Sequence, residues 1–172
     1  MVVSAIRTTQ LIARHSPKQV LLLGVAGALE DWVPVGDAVE FDEVICFGIG
    51  AGTGDGFVSA AEMGWPQWPL SPQISDTICL TEDGAIASAT LLTCCAASAT
   101  EQDVQMRLRK YPNAVAEDME GFSVAAACRF AGIPLSIVRG ISNRAGDRNK
   151  DNWRVGEAMV SVEASIVGIL DL

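Results

Sequence analysis

The sequence has 172 residues, 49% of them hydrophobic, so it is long enough and apolar enough to fold as one domain, 1–172, and it is not typical of disordered proteins. Its net charge of −9 and its lack of a basic stripe argue against nucleic acid and anionic membrane surfaces as partners. We find no signal peptide and no apolar run long enough to span a bilayer, and we therefore expect a cytoplasmic protein whose ligand is a small molecule.

Five cysteines and one histidine limit the chemistry that the chain can support. The cysteines are odd in number, lack metal-like spacing and mostly lie in apolar stretches, which indicates free thiols in a reducing compartment. His15 lies at the polar end of a helical pattern, where a solvated side chain is the ordinary outcome. We therefore expect neither a metal site nor catalysis by histidine.

The first part of the chain alternates between helical and strand patterns. Residues 1–15 have apolar residues at helical spacing, and 19–23 form a short apolar run that is typical of a buried strand. The small residues of GVAGAL, 24–29, are interpreted as a turn. The run AVEFDEVICF, 38–47, is predicted as one strand.

A long loop rich in Gly, Pro and Trp covers 48–73. Its aromatic side chains, Phe57, Trp65 and Trp68, either form a lid over a ligand or pack the loop onto the sheet. The next segment, 74–83, fits a helix and a strand equally well. A buried strand is predicted within IASATLLTCCAAS, 86–98.

The second half of the chain has the clearest pattern. Helices are predicted for 101–110 and 119–131, and the second is followed by Gly132, as expected at a helix end. A buried strand covers 133–141, and an amphipathic helix runs from about 152 to 170. Because strands alternate with helices, the sequence predicts an α/β fold with a largely parallel sheet.

Glu120 lies where the helix 119–131 begins. The dipole and the free N–H groups of a helix N-terminus stabilise a carboxylate, and an ionised carboxylate can accept hydrogen bonds from two vicinal hydroxyls. Its charge would also stabilise a sugar that becomes positive as a glycosidic bond breaks. The alternative is an acid that only caps the helix.

Asn143 follows the predicted strand 133–141, and ligands of open α/β sheets bind beyond the carboxyl ends of strands. Its NH2 group can donate to O6 of a 6-oxopurine while its oxygen accepts from N7–H as the base leaves. An Asp would suit an exocyclic amine, so Asn favours hypoxanthine-type bases over adenine. The alternative is a turn residue.

Three arginines lie close to Asn143 in the sequence. Arg139 lies within the predicted strand, so we expect it to pair with a carboxylate. Either Arg144 or Arg148 would meet an anionic tail of a substrate, unless both form surface salt bridges. The small residues of 24–29 would let a ligand approach the backbone, unless they form only a tight turn.

Two motifs, AEDMEGFSVAAA (116–127) and VRGISN (138–143), resemble the nucleoside phosphorylase and nucleosidase superfamily. Within it, GTGDGFVSAAEMG (52–64), GISNRAGDR (140–148) and Trp153 resemble the futalosine hydrolase family. The resemblance covers nearly the whole chain. It implies a three-layer αβα fold with a mixed central sheet, and no metal or organic cofactor.

The resemblance also implies an activity, the hydrolysis of futalosine to hypoxanthine and dehypoxanthine futalosine in menaquinone biosynthesis. Glu120 would hold the ribose diol and Asn143 the purine. Nucleoside phosphorylases carry an Arg and a Ser where this chain has Leu22 and Val25, and an apolar pair disfavours phosphate as the nucleophile. Further substrate contacts are implied for Met119, Ala26, Gly27, Phe57, Arg139 and Arg148.

Members of this superfamily normally begin with further residues, which hold early strands and the acid that activates the water. No residue of this sequence matches that acid, so we expect those N-terminal strands to be missing. We also expect a homo-oligomer whose partner subunit covers the exposed edge. Without general-base help, the rate is expected to fall by about 10² to 10⁴.

Overall fold

The computed structural model describes residues 1–81 and 88–169, so the ends of three predicted segments (82–83, 86–87 and 170) lie outside the described residues. The helices confirm the four helical predictions. The strands and helices, numbered in chain order, are α1 (Val2–His15), β1 (Val20–Ala28), β2 (Ala38–Phe41), β3 (Glu43–Phe47), β4 (Gly50–Ala51), β5 (Val58–Ser59), β6 (Thr77–Cys79), β7 (Thr90–Cys94), α2 (Glu101–Lys110), β8 (Ala114–Asp118), α3 (Gly121–Ala131), β9 (Leu135–Arg144) and α4 (Val155–Ile169).

The main sheet has seven strands in the order β2-β9-β1-β8-β7-β3-β6. The pairs β1/β9, β3/β7 and β7/β8 are parallel, whereas β1/β8, β2/β9 and β3/β6 are antiparallel. The expectation of a largely parallel sheet, taken from the alternation of elements, was therefore wrong, and the mixed sheet implied by the resemblance is confirmed. Two of the antiparallel pairs lie at the edges of the sheet, where β2 pairs with β9 and β6 with β3, and the third pair, β1/β8, lies in its middle.

Helices cover both faces of this sheet, which confirms the three-layer αβα fold. On β7, Leu91 packs with the core beneath α1 and α3, whereas its neighbour Leu92 packs with Val104 of α2 on the opposite face. On β9, a side chain at Gly140 would meet the backbone of Ala158 in α4. Because successive strand residues point to opposite faces, α4 lies on the face opposite the Arg139 side chain.

Capping residues define two helix ends, of which the end at Gly132 was predicted from the sequence. Gly132 ends α3 in the left-handed region with a φ of 65°, a conformation that costs a glycine little. Thr100 and Asp103 form a capping box at the start of α2, because each side chain accepts from the backbone of the other. Gly132 thus fixes where the chain leaves α3 towards β9, and the capping box fixes where it enters α2 after β7.

The strands β1, β2, β3 and β8 differ from what the sequence predicted. GVAGAL was predicted as a turn, but β1 continues to Ala28 because its small residues pair with β9 and, at Gly27 and Ala28, with β8. AVEFDEVICF is two strands separated at Asp42. Strand β8 was not predicted at all, since AVAED is short and ends in two acids.

Asp42 separates β2 from β3 because its backbone and side chain are both used by other segments. Its carbonyl accepts from the Leu80 N–H and its carboxylate accepts from the backbone and hydroxyl of Ser88. These hydrogen bonds from Ser88 also lower the pKa of Asp42. The chain can therefore turn here and send β2 and β3 to distant positions of the sheet.

Candidate active site

A cavity of about 200 Å³ opens where β9, β1 and β8 lie side by side. In the register of the sheet, Gly27 is flanked by Asn143 on one side and by Glu117 on the other. The pairing with β9 shifts by one residue between Ala26 and Gly27, a bulge of the kind that re-aims side chains near functional sites. The lining residues are Val25, Ala26, Gly27, Ala97, Ser98, Glu117, Asp118, Met119, Glu120, Ser142, Asn143, Arg148 and Trp153.

Glu120 is the N-cap residue of α3, and its side chain is 44% exposed at the cavity. Its carboxylate lies 3.5 Å from Nη2 of Arg139, which approaches it from the sheet. It makes no capping hydrogen bond, so the alternative reading of a plain capping acid has no support in the described structure. The carboxylate is open to a ligand while one cation holds it in place.

Arg139 is 3% exposed and lies beneath the cavity without lining it. Its guanidinium donates to Asp118 at 2.5 Å and to the Leu23 carbonyl at 3.2 Å, in addition to Glu120. The expected pairing with a carboxylate is therefore confirmed. The side chain crosses Gly24, where an added Cβ would lie 2.2 Å from Nη1, so a glycine is needed for this arginine to reach its partners.

The amides at the start of α3 are already used. Gly121 N donates to Asp118 at 2.9 Å, and Phe122 N donates to the Thr93 hydroxyl at 2.8 Å. Thr93 in turn donates to Asp118 at 2.6 Å. A helix N-terminus binds phosphate through such free amides, and here they are occupied by side chains of the protein.

Asn143 lies within β9 rather than after it, which corrects the predicted end of that strand. The amide is 7% exposed; its oxygen accepts from the Ser142 hydroxyl at 2.8 Å and its nitrogen donates to the Arg144 carbonyl at 2.7 Å. One lone pair and one N–H remain for a ligand. These contacts orient the amide before any ligand arrives.

Arg148 lines the cavity, and its guanidinium lies 5.5 Å from the ring centroid of Trp153. The loop that carries it is held by Asp147, which accepts from Asn152 Nδ2 and Asn149 N at 2.8 Å each. These hydrogen bonds, that from Asn152 first, lower the pKa of Asp147. Arg148 is thus an exposed cation on an ordered loop.

Arg144 has a different place. Its guanidinium donates to the carbonyls of Glu30, Asp31 and Val33 at 2.7 to 2.9 Å, and it does not line the cavity. Its hydrogen bonds fasten the chain after β1 to the end of β9. Of the two arginines that the sequence left open, only Arg148 lies at the cavity.

Phe57 and the tryptophans of the long loop lie outside the cavity lining. Phe57 packs against Phe47 with ring centroids 5.1 Å apart, and Trp68 packs against Phe130 at 5.5 Å. Lys110 donates to the Phe57 carbonyl at 3.0 Å. The described structure therefore packs this loop onto α2 and α3 and does not bring Phe57 to the other predicted site residues.

Four polar residues of the cavity were not predicted as site residues: Ser98, Glu117, Asp118 and Ser142. Glu117 accepts from the Ser98 amide at 2.7 Å and hydroxyl at 2.8 Å, and it is salt-bridged to Arg107 of α2. Glu117 and Asp118 directly precede the Met119-Glu120 pair, but only the unpredicted strand β8 aims Glu117 into the cavity. Ser98 carries no signal in the sequence.

Two negative observations apply to the described part of the chain, 1–81 and 88–169. Its His, Cys, Asp and Glu side chains form no cluster of three or more that could hold a metal ion. None of its helices is both long and apolar enough to cross a membrane.

Comparison with known proteins finds a matching family model, similar sequences and similar folds. The model of the family described as "Phosphorylase superfamily" matches residues 1–170. The futalosine hydrolase of Streptomyces coelicolor is 30% identical over 147 residues, which cover 86% of this chain and 63% of that protein. The 5′-methylthioadenosine/S-adenosylhomocysteine nucleosidase of Staphylococcus aureus is 29% identical over 169 residues, covering 94% of this chain and 68% of that protein.

A solved structure shares the fold. The 5′-methylthioadenosine/S-adenosylhomocysteine nucleosidase of Colwellia psychrerythraea, in complex with adenine, has a TM-score of 0.78 and 22% identity, and the match covers 99% of this chain and 73% of that one. The chain spans 63% and 66% of the length of two futalosine hydrolases that it matches.

Proposed function

The chain belongs to the phosphorylase superfamily, and from this premise we propose that it is a nucleosidase that hydrolyses the N-glycosidic bond of futalosine and releases hypoxanthine. The observation that carries the proposal is the meeting of Glu120, Asn143 and Arg148 around one cavity. These side chains suit a ribose diol, a purine edge and an anionic tail. The futalosine hydrolase of Streptomyces coelicolor, at 30% identity, supports the same choice.

In the proposed mechanism, Glu120 accepts hydrogen bonds from the two ribose hydroxyls and stabilises the positive charge that develops on the sugar. Asn143 donates to O6 and accepts from N7–H, which stabilises the departing base. Met119 lines the ribose, and the backbone at Ala26 and Gly27 lies beneath the base. Water attacks C1′ as the bond between C1′ and N9 of the purine breaks. The electron pair of that bond leaves with the base, bulk water supplies the proton at N7, and the attacking water gives up a proton to bulk water.

Two features support water over phosphate as the nucleophile. The two positions that carry Arg and Ser in nucleoside phosphorylases are here Leu22, which packs against the core, and Val25, which lines the cavity. Neither can bind an anion. The first amides of α3 already donate to Asp118 and Thr93, so that helix end offers no second phosphate site.

The carboxylates of the cavity also bear on the rate. Glu117 is paired with Arg107 and Asp118 with Arg139, and Glu120 is assigned to the ribose. Within the lining of the cavity, this leaves no carboxylate free to accept a proton from water. We therefore expect turnover to be slower by about 10² to 10⁴ than with a dedicated general base.

The test is base release from futalosine, inosine and 5′-methylthioadenosine, each with and without phosphate. Hypoxanthine released from futalosine at a rate independent of phosphate supports the proposal. A rate that requires phosphate would instead identify a phosphorylase, and preferred cleavage of 5′-methylthioadenosine would identify the nucleosidase activity named for the Staphylococcus aureus relative. Saturable binding of futalosine without release would identify a nucleoside-binding protein that does not catalyse the reaction.

A further inference from the structure

The proposed mechanism gives no role to Glu117, a buried acid of the cavity. Glu117 is 5% exposed, yet it lines the cavity on the wall opposite Asn143. A carboxylate buried at a ligand site is costly unless its hydrogen bonds and charge are compensated. The hydrogen bonds that the carboxylate already makes therefore determine which further contact it can make with a ligand.

Three hydrogen bonds hold the Glu117 carboxylate. Oε1 accepts from the Ser98 amide at 2.7 Å, whereas Oε2 accepts from the Ser98 hydroxyl at 2.8 Å and from Nη1 of Arg107. Arg107 is itself fixed, because Nη2 donates to the Ala96 carbonyl at 2.7 Å. Each carboxylate oxygen can accept two hydrogen bonds, so Oε1 can accept one more.

The position of Glu117 relative to Asn143 is set by the sheet. Both residues pair with Gly27, one from β8 and one from β9. Their backbones are thus two strand spacings apart, about 10 Å, and the glycine between them carries no side chain. A planar base can lie above Gly27 with Asn143 at one edge and Glu117 at the other.

This arrangement distinguishes the two common purines. In hypoxanthine, O6 accepts and the neighbouring N1–H donates, whereas in adenine the 6-amino group donates and N1 accepts. A carboxylate beside N1 therefore makes a hydrogen bond to hypoxanthine and faces a lone pair in adenine. Sites built to hydrogen-bond one group reject the analogue that lacks it, because the buried partner is then unpaired.

We propose that Glu117, held by Arg107 and Ser98, accepts a hydrogen bond from N1–H of a 6-oxopurine and excludes 6-aminopurines from this cavity. The proposal rests on the proposed nucleosidase function and adds to it the residue that selects the base. Asn143 reads O6 and N7, and Glu117 reads N1. The base is then recognised on both sides of Gly27.

The experiment measures the dissociation constants of hypoxanthine, adenine and 1-methylhypoxanthine by titration calorimetry, together with futalosine turnover. The proteins are the wild type, Glu117→Gln and the control Glu43→Gln, which makes the same change at a β3 residue that accepts from Thr90 at 3.1 Å and does not line the cavity. We expect the wild type to prefer hypoxanthine over adenine by at least about tenfold. Glu117→Gln should lose or reverse that preference, and Glu43→Gln should keep it.

Since Glu117→Gln leaves Arg107 without its charged partner and can prevent folding, 1-methylhypoxanthine tests the same contact on the wild type. It lacks the N1–H and should bind at least about tenfold more weakly than hypoxanthine. Equal binding of the two, or a wild-type preference for adenine, overturns the role of Glu117, and futalosine turnover then shows that the proposed function survives. Failure of every base to bind, with no turnover, overturns both.

Discussion

At the scale of single residues, two arginines that follow Asn143 in the sequence carry the same charge but have different roles. Arg144 donates to three carbonyls and holds the chain after β1. Arg148 lies on the face of Trp153 at the cavity, and the cation is exposed. The sequence alone offered both as partners of an anionic substrate, and only the geometry separates them.

Arg148→Gln is expected to raise KM for futalosine by roughly fivefold, because an exposed ion pair contributes about 1 kcal/mol or less. KM for inosine, which lacks the anionic tail, should stay unchanged. Steady-state base release with both substrates measures the two KM values. Lys150→Gln removes the same charge from the same loop outside the cavity lining and should change neither value. An equal rise for both substrates would mean that Arg148 shapes the cavity and does not bind the tail.

Several residues that line the cavity were predicted from the sequence. Glu120 was predicted from the start of a helix, Asn143 from the end of a strand and Gly27 from its small neighbours, and Met119 was implied by the resemblance. Glu117 was not predicted as a site residue, although it lies within AEDMEGFSVAAA, because acidic side chains are usually solvated. Its role depends on a strand, β8, whose pattern is too short to recognise.

At the scale of elements, the contact between β9 and α4 depends on a glycine. A Cβ on Gly140 would lie 2.3 Å from the Ala158 carbonyl oxygen of α4. Real Cβ atoms do not approach backbone oxygens so closely, and the two elements could not keep their present spacing. The strand that carries Asn143 and the last helix are therefore packed without room for one methyl group.

Gly140→Ala is expected to destabilise the fold by about 1–3 kcal/mol, because α4 must shift away from β9. Gly156→Ala is the matched control, since it lies on α4 and a Cβ there meets nothing within 4 Å. It should stabilise by about 0.5–1 kcal/mol, as alanine favours the helix over the unfolded chain. Urea unfolding monitored by circular dichroism gives both values. Equal stability of the two variants would contradict the packing described.

The elements also show where local sequence patterns fail. The GVAGA of β1 has the small residues of a turn, but tertiary pairing on both sides keeps it extended. AVEFDEVICF has the alternation of one strand, but hydrogen bonds from Leu80 and Ser88 to Asp42 divide it. In both cases contacts with residues distant in sequence determine the secondary structure, so the local sequence pattern cannot predict it.

At the scale of the whole molecule, the cysteines divide into three buried thiols, Cys46, Cys94 and Cys128, the half-buried Cys79 and the exposed Cys95. Burial raises the pKa of Cys46 to about 12, with further contributions from Asp76 and Cys95. Burial raises the pKa of Cys128 to about 11, and that of Cys94 is raised as well. Buried free thiols, which the apolar surroundings predicted, are confirmed at these three positions.

Because the thiolate is the reactive form, a thiol reagent at pH 8 should modify Cys95 rapidly and the three buried cysteines only when the protein unfolds. Mass spectrometry of partly labelled protein, with and without urea, measures this order. Cys95→Ser should remove the fast phase and leave the slow one. Equal labelling of all five in the native protein would contradict the fold.

The same thiols set an alkaline limit to stability. A raised pKa in the folded state means that the native protein holds protons that the unfolded chain releases. The contribution of Cys46 is therefore complete below the ordinary thiol pKa of 9.0 and is lost as the pH rises towards about 12.

The floor of the cavity is made by β9, β1 and β8, which lie far apart in the sequence and meet at Gly27. A ligand bound there would bridge three strands that the unfolded chain cannot bring together. Its binding free energy would then add to the folding free energy, by about 2.7 kcal/mol at a hundred times its dissociation constant. By reciprocity, a substitution that destabilises the pairing of these strands will lower the affinity for the ligand even where the substituted residue does not contact it. Ligand affinity and melting temperature should therefore vary together across variants of this sheet.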